Sequence, residues 1–405
     1  MMDLATATAR DAADPLRHFR DKFVLPEGVI YLDGNSLGPL PKASIAAMTH
    51  ITERQWGDRM VRAWNEGWMA APQRIGAKIA RLIGAEAHEV IVTDSTSSNL
   101  FKLLVAALNR DPTRRTIVTE AGNFPSDLYV AEGAARCVPG ARLLTVARGD
   151  LLGALSSDTA VILLTHVHYK TSEAFDMMWY SSAAHAAGAL VLWDLSHSTG
   201  AIPVDLGAAD ADLAVGCGYK YLNGGPGAPA YLYVNSKWQD VLLSPLSGWL
   251  GHAEPFAFVD PYRPAPGIRR WLNGSPPMLA MAALESGVDL ALQADIGALS
   301  GKSAELFDCF AGIGDALQLE CVSPRAAALR GSHISFRHQH AYALSQALID
   351  RGVIGDFRAP DIIRFGLTPL YLGYTDVVRA GDILRDVLAQ AAWQDPRFAV
   401  QAAVT

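Results

Sequence analysis

Four groups of polar residues in this 405-residue chain each follow a short apolar run, and each could do chemistry. The first is Trp193-Asp194-Leu195-Ser196-His197. A carboxylate at a strand tip suits a cationic partner, either a protonated ring nitrogen or, beside His197, a metal ion. His166 and His168, on one face of an apolar strand, add to the metal reading. No His-Glu-x-x-His or cysteine-rich signature accompanies them, and the plainer reading makes them satisfied histidines beside a site. The second group is Gly216-Cys217-Gly218-Tyr219-Lys220, followed by a glycine-rich turn to Gly227. A half-buried lysine with nearby cations has a lowered pKa and is nucleophilic; the alternative is a surface lysine before a tight loop. The glycines lack the order of a P-loop. The third group, Thr93-Asp94-Ser95-Thr96-Ser97-Ser98-Asn99, opens a helix. It offers backbone N–H groups and hydroxyls to an anion, or merely caps the helix. The fourth, residues 120–127, places Phe124 either to stack on a flat ligand or to fill the core.

The order of these groups says more than any one of them. An anion turn, an aromatic, Asp-x-x-His and Tyr-Lys follow one another along a single region of alternating strands and helices. Pyridoxal phosphate needs that set: a lysine to form a Schiff base, an aspartate to keep the pyridine nitrogen protonated, and a helix N-terminus for the phosphate.

The elements that must position these residues are legible as apolar runs. Strands are expected at 90–93, 116–119, 142–146, 161–165, 190–193, 213–217 and 230–234, with helices at 72–83, 99–109 and 181–187 between them. Such alternation predicts an α/β fold with a mostly parallel, seven-stranded type of sheet covered by helices, and ligands beyond the C-terminal strand ends. Residues up to about 40 read as irregular. Residues 42–56 read as an amphipathic helix with Ile45, Met48 and Ile51 on one face. Pro276-Pro277 is a break, and 278–292 is a long helix that joins two units. Helices at 301–311, 339–351 and 374–391 with strands at 333–336 and 362–366 predict a smaller C-terminal α/β domain. The expected division is an N-terminal arm at 1–45, counted with the small domain, a large cofactor domain at 46–275 and the small domain at 276–405.

Composition excludes several classes. With 34 basic and 41 acidic residues the formal charge is −7, which argues against nucleic acid as a partner. Half of the residues are hydrophobic and the mean hydropathy is +0.14, yet no run of about 18 apolar residues occurs, so no membrane span is expected. The four cysteines have no metal-ligand spacing and fit free thiols, and no secretory h-region opens the chain. A cytoplasmic protein is the expectation.

The motifs together resemble the kynureninases, members of the fold-type I, class V aminotransferase-like enzymes that use pyridoxal phosphate. The resemblance runs from about residue 31 to residue 376. It is carried by Leu32-Asp33-Gly34-Asn35-Ser36-Leu37-Gly38, Asp94-Ser95-Thr96-Ser97-Ser98-Asn99-Leu100, Asn123-Phe124-Pro125-Ser126-Asp127 and Asp194-Leu195-Ser196-His197. Tyr219-Lys220-Tyr221-Leu222-Asn223, Gly248-Trp249-Leu250-Gly251-His252, Ser275-Pro276-Pro277 and Ile363-Arg364-Phe365-Gly366-Leu367-Thr368-Pro369-Leu370-Tyr371 complete it.

The resemblance implies that Lys220 carries the Schiff base, that Asp194 pairs with the ring nitrogen and that His197 supports it. It implies Thr96 and Ser97 for the phosphate, Phe124 for stacking, Asp127 and Thr165 beside the ring, and Tyr219 for phosphate binding and proton transfer. Trp249 and Ser275 match positions that reach a phosphate across a dimer interface. Arg364 matches the arginine that takes the substrate α-carboxylate, where a planar guanidinium grips with two bonds. Asn35, Ser36 and Asp58 are further substrate positions. No metal is implied. The implied reaction is hydrolysis of L-kynurenine to anthranilate and L-alanine, a step of tryptophan degradation, by a homodimer; 3-hydroxy-L-kynurenine, giving 3-hydroxyanthranilate, is the alternative substrate.

Lys170 and Ser172 stand where the family pattern has Arg and Gly, and Ser275 where some members have Asn. Asp58 lies where some members read the ring hydroxyl. The rivals are a cysteine desulfurase or transaminase of the same fold, a metal-dependent hydrolase built on His166, His168, Asp194 and His197, and a non-catalytic binding protein.

Overall fold

A computed structural model describes residues 2–401. Residue 1 and residues 402–405, the ends of the expected arm and small domain, lie outside the described residues. The main sheet has seven strands. Their spatial order is Val90–Val92, Tyr231–Val234, Leu213–Gly216, Leu190–Asp194, Thr159–Thr165, Thr116–Glu120 and Arg142–Val146. Tyr231–Val234 runs antiparallel to both neighbours, and the other contacts are parallel. Every residue of Thr159–Thr165 and of Leu190–Asp194 is buried, as strands covered on both faces must be.

Alternation divides those side chains between two cores. Ile162, Leu164 and Trp193 pack with Ile75 and Ile79 of the Ala71–Leu82 helix and with Leu284 and Val288 of the Met278–Ala291 helix. Val161, Leu163 and Leu192 pack on the other face with Leu100, Leu103 and Leu104 of the Thr96–Arg110 helix.

A second, four-stranded antiparallel sheet orders Asp356–Arg358, Ile362–Gly366, His333–Arg337 and Glu320–Cys321. Its core joins Phe307, Phe310, Phe336 and Phe365 to Ala7, Leu16, Phe19 and Phe23 from the start of the chain. That start is not wholly irregular, as the sequence suggested. Leu4–Ala13 is a helix whose first turn is capped by Asp3, which accepts from the Thr6 N–H at 2.7 Å. It buries only Ala7, so no apolar periodicity announces it.

The expected helix at 42–56 also differs. It is helical at Lys42–His50 and then widens to i→i+5 bonding at Ile51–Arg59. Ile51 is buried, whereas Ile45 and Met48 are 51% and 40% exposed. The helix lies against Met278–Ala291 and turns Ser44 inward, leaving the apolar pair on the surface. No helix among the described residues is long and apolar enough to cross a membrane.

Ser172 occupies the left-handed region at φ +67°. It is fully buried, and its hydroxyl has no partner among the described residues. A non-glycine residue there costs roughly 1–2 kcal/mol, and a buried hydroxyl without a partner adds to that. Glycine relieves both at an entropic cost of roughly 0.5–1 kcal/mol. Ser172→Gly is therefore expected to raise the free energy of unfolding by about 1 kcal/mol. An unchanged or lower urea midpoint would contradict that strain.

Candidate active site

The C-terminal ends of five parallel strands converge on one pocket. The Leu190–Asp194 strand delivers Asp194, whose carboxylate accepts from the Ser196 N–H at 2.8 Å. Thr165 is its register partner at the tip of the next strand. The Thr165 hydroxyl lies 2.5 Å from Asn123 Oδ1 and 3.2 Å from Asp127 Oδ2. Asp127 belongs to the first turn of the Pro125–Arg136 helix, an element absent from those expected from the sequence. Proline at its first position suits a helix start, and small alanines replace the usual apolar stripe. Phe124 caps that helix.

Leu213–Gly216 leads into the Tyr219-Lys220 turn. A Cβ at Gly218 would lie 2.4 Å from the Pro229 carbonyl oxygen, so the turn closes only with glycine there. Lys220 Nζ sits 3.0 Å from His197 Nε2 and 5.8 Å from the Phe124 ring centroid. Thr96 and Ser97 open the Thr96–Arg110 helix, with Ser95 accepting from the Ser98 N–H at 3.2 Å. The remaining first-turn N–H groups have no acceptor within the helix, which makes this end a ready anion site.

Thus Thr96, Ser97, Phe124, Asp127, Thr165, Asp194, His197, Tyr219 and Lys220 all line one cavity. Tyr169, Ser126 and Ser196 line it too and were not singled out by the sequence. Tyr169 stands edge-on to Phe124 at 5.1 Å.

The cavity is electrostatically uneven. Burial, and then the neighbouring Asp194 carboxylate, push Asp127 well above the usual carboxylate range, against the Thr165 hydroxyl. Burial and then the Lys220 charge hold His197 well below the ordinary imidazole range, so it is neutral. Burial, followed by Cys217 and Asp194, raises the Tyr219 phenol, which stays protonated near neutral pH.

The small sheet approaches the cavity through Arg364, which bonds to the wall residue Tyr169; Arg364, Asn35 and Ser36 do not line the cavity itself. Arg364 and Asp356 face each other across antiparallel strands, and both are buried. Arg364 donates from Nε at 2.8 Å and Nη2 at 2.5 Å to the Asp356 carboxylate, and from Nη1 at 2.5 Å to the Tyr169 carbonyl. Burial opposes the Arg364 charge, but Asp356 outweighs it and raises the guanidinium further. Asn35 and Ser36 lie in a turn stitched to the segment after a main-sheet strand and to a strand of the small sheet. Gly38 N–H donates to the Tyr219 carbonyl at 2.8 Å, and Gly366 N–H donates to the Leu32 carbonyl at 2.7 Å. A Cβ at Gly366 would sit 2.2 Å from Asn35 Oδ1, so the turn and the Arg364 strand touch directly.

Other residues stand elsewhere. Asp58 is exposed and pairs with Arg54 at 3.2 Å. Trp249 is 39% exposed, and Ser275 is exposed. These three lie outside the cavity of the single chain. His166 packs edge-on against Trp193, while His168 Nε2 lies 3.1 Å from the Gly122 carbonyl. Burial lowers each of these two histidines to about 4. No group of three metal-ligating side chains could share an ion among the described residues. Cys309 and Cys321 pack against the core of the small sheet, where burial raises both thiols and so works against a nucleophilic thiolate.

Fold and site together define an α/β enzyme of the fold-type I class. A cysteine desulfurase of Thermococcus onnurineus NA1 matches with a TM-score of 0.78 over 92% of this chain and 98% of its own, at 18% identity. A cysteine desulfurase of Escherichia coli matches at 0.77 over 93% and 98%, at 19% identity. At that identity the likeness is one of fold alone. The sequence relatives decide the family. The chain is 48% identical to the kynureninase of Pseudomonas fluorescens over 408 residues, covering 98% of each. It is 48% identical to that of Burkholderia mallei strain SAVP1 over 410 residues, 98% of this chain and 99% of the relative. The family model for the kynureninase C-terminal domain matches residues 299–384. The chain belongs to the kynureninase family.

Asp33 in the stitched turn gives a pH prediction. Burial first, and then the Asp356 carboxylate, push it up to about 8, against Arg364. Its folded pKa exceeds its unfolded one, so its contribution to stability is greatest at low pH and is lost as pH rises towards 8. Asp33→Asn removes this dependence. Its thermal stability relative to the parent is expected to improve steadily from pH 5 to about 8 and then level off. A pH-independent difference would show that Asp33 is not held protonated.

Proposed function

We propose that the protein hydrolyses L-kynurenine to anthranilate and L-alanine, and its 3-hydroxy form to 3-hydroxyanthranilate, with pyridoxal phosphate bound between Phe124, Asp194 and Lys220. The observation that carries the reading is the buried pair Asp127 and Asp194 beneath a lysine amine, in a chain 48% identical to curated kynureninases. Two carboxylates in one buried site need a proton or cation between them. A protonated pyridine nitrogen supplies one. Phe124, 38% exposed, offers a ring face, and the N–H groups at Thr96 and Ser97 suit a phosphate. The donor set thus fits the cofactor.

Pyridoxal phosphate, when bound, supplies an electron sink for negative charge at carbons near the substrate amine. Asp194 holds the proton on the ring nitrogen. Lys220 Nζ takes the proton from the substrate Cα, and neutral His197 beside it adds no competing charge. Arg364 binds the α-carboxylate and fixes the substrate's orientation. Water adds to the Cγ carbonyl and the Cβ–Cγ bond breaks. The water oxygen leaves in the carboxylate of anthranilate, and the electron pair stays on Cβ. Tyr219, held protonated, donates the proton that completes alanine.

A homodimer completes the proposal. Trp249 and Phe258 each pack edge-on against Phe256, all three are exposed, and such an apolar patch favours a second copy. Asp58, Trp249 and Ser275 then serve the neighbouring copy's substrate and phosphate. The expected division into an arm and small domain at 1–45 and 276–405 and a large domain at 46–275 is supported by the aromatic core that the chain's two ends share, whereas the Met278–Ala291 helix packs with the large sheet. Four free thiols suit the cytoplasm.

The purified protein is expected to show the near-visible absorbance of bound cofactor and to release fluorescent anthranilate from L-kynurenine. Lys220→Ala should abolish turnover and change that absorbance. Full turnover by Lys220→Ala would refute the lysine assignment, and absorbance without anthranilate would refute the substrate.

A further inference from the structure

Arg364 is held from one side. The Asp356 carboxylate takes its Nε and Nη2 donors at 2.8 and 2.5 Å, and the Tyr169 carbonyl takes one donor of Nη1 at 2.5 Å. A guanidinium has five N–H groups. Two remain, one on Nη1 and one on Nη2, which is the number a carboxylate accepts in a two-point grip. The Nη1 end adjoins Tyr169, a wall of the pocket.

Asp356 is itself shared. Its Oδ2 also lies 2.6 Å from Arg358 Nη2, so one carboxylate serves two guanidinium groups. Asp33, the other carboxyl of the cluster, is pushed towards its neutral form by burial and by Asp356. Two cations against one anion leave the cluster a surplus positive charge, although the Arg364 and Asp356 side chains are buried and, of the three, only Arg358 reaches solvent. Asp356 and Arg364 are register partners on adjacent strands, so neither can turn without disturbing the other.

Resting on the assignment of Arg364 to the substrate carboxylate, we propose that Asp356 is a positioning residue for substrate recognition: it anchors one edge of the Arg364 guanidinium so that the two remaining N–H groups meet the α-carboxylate. It touches neither substrate nor cofactor and acts through Arg364. A merely structural ion pair would be indifferent to which substrate is bound; a positioning residue matters most to a substrate with a negative charge at that end.

The test compares L-kynurenine with its α-carboxamide in the holoenzyme, in Asp356→Asn, Asp356→Glu and Arg364→Gln. In Asp356→Asn the KM for L-kynurenine is expected to rise about tenfold or more, with kcat within about threefold and little change in kcat/KM for the carboxamide. Asp356→Glu, which keeps the charge, should recover part of the loss. Bound-cofactor absorbance should match the parent. An unchanged KM in Asp356→Asn with a raised KM in Arg364→Gln overturns this proposal alone. An unchanged KM in Arg364→Gln overturns the carboxylate assignment and this proposal with it. An equal fall for both substrates, or loss of cofactor absorbance, makes Asp356 structural and also overturns it.

Discussion

Two carboxylates cannot be buried side by side without something positive between them, and the centre of this protein is built around that constraint. Asp127 and Asp194 come from different elements and meet in one cavity. The sheet makes the meeting possible. Five strands that run the same way (Val90–Val92, Thr116–Glu120, Thr159–Thr165, Leu190–Asp194 and Leu213–Gly216) end on one edge, and residues at or just after their tips line the same space. The apolar cores above and below exist to hold those ends level. Water is largely kept from Asp194, Asp127 and Thr165, all nearly fully buried, so the interaction between the two carboxyl groups is only weakly screened.

The small sheet repeats the same logic with opposite sign. There two arginines crowd around one ionised aspartate, and the surplus charge is positive. In the proposed reaction these two clusters would suit the cofactor's positive ring nitrogen and the substrate's negative end. Neither depends on the net charge of the chain, which is −7 and weakly informative about the site.

Much of this was legible in the residues, for physical reasons that also explain the omissions. Val161, Ile162, Leu163 and Leu164 announce a strand because burial on both faces removes every polar residue. The residues at strand tips were legible because a lysine, an aspartate or a hydroxyl run directly after such a strand is otherwise hard to explain. The Leu4–Ala13 and Pro125–Arg136 helices were not, since alanine buries little and leaves no periodic stripe. Ile45 and Met48 looked like a core face, and the single chain leaves them outside. Tyr169, Asp33 and Asp356 escaped because their importance comes from neighbours distant in sequence. Only folding puts the Tyr169 carbonyl against Arg364. Ser172 stood out as a departure from glycine, and its left-handed backbone gives the reason glycine suits that place.

The turn from Leu32 to Gly38 is clipped at one end to the residue before Lys220 and at the other to the strand that carries Arg364. It works as a ruler. What the main-chain bonds set is the span between the backbone that carries Lys220 and the strand that carries Arg364. On the assignment proposed for those two residues, the part common to every α-amino acid meets a fixed frame, and discrimination among amino acids is left to whatever surrounds the side chain beyond it.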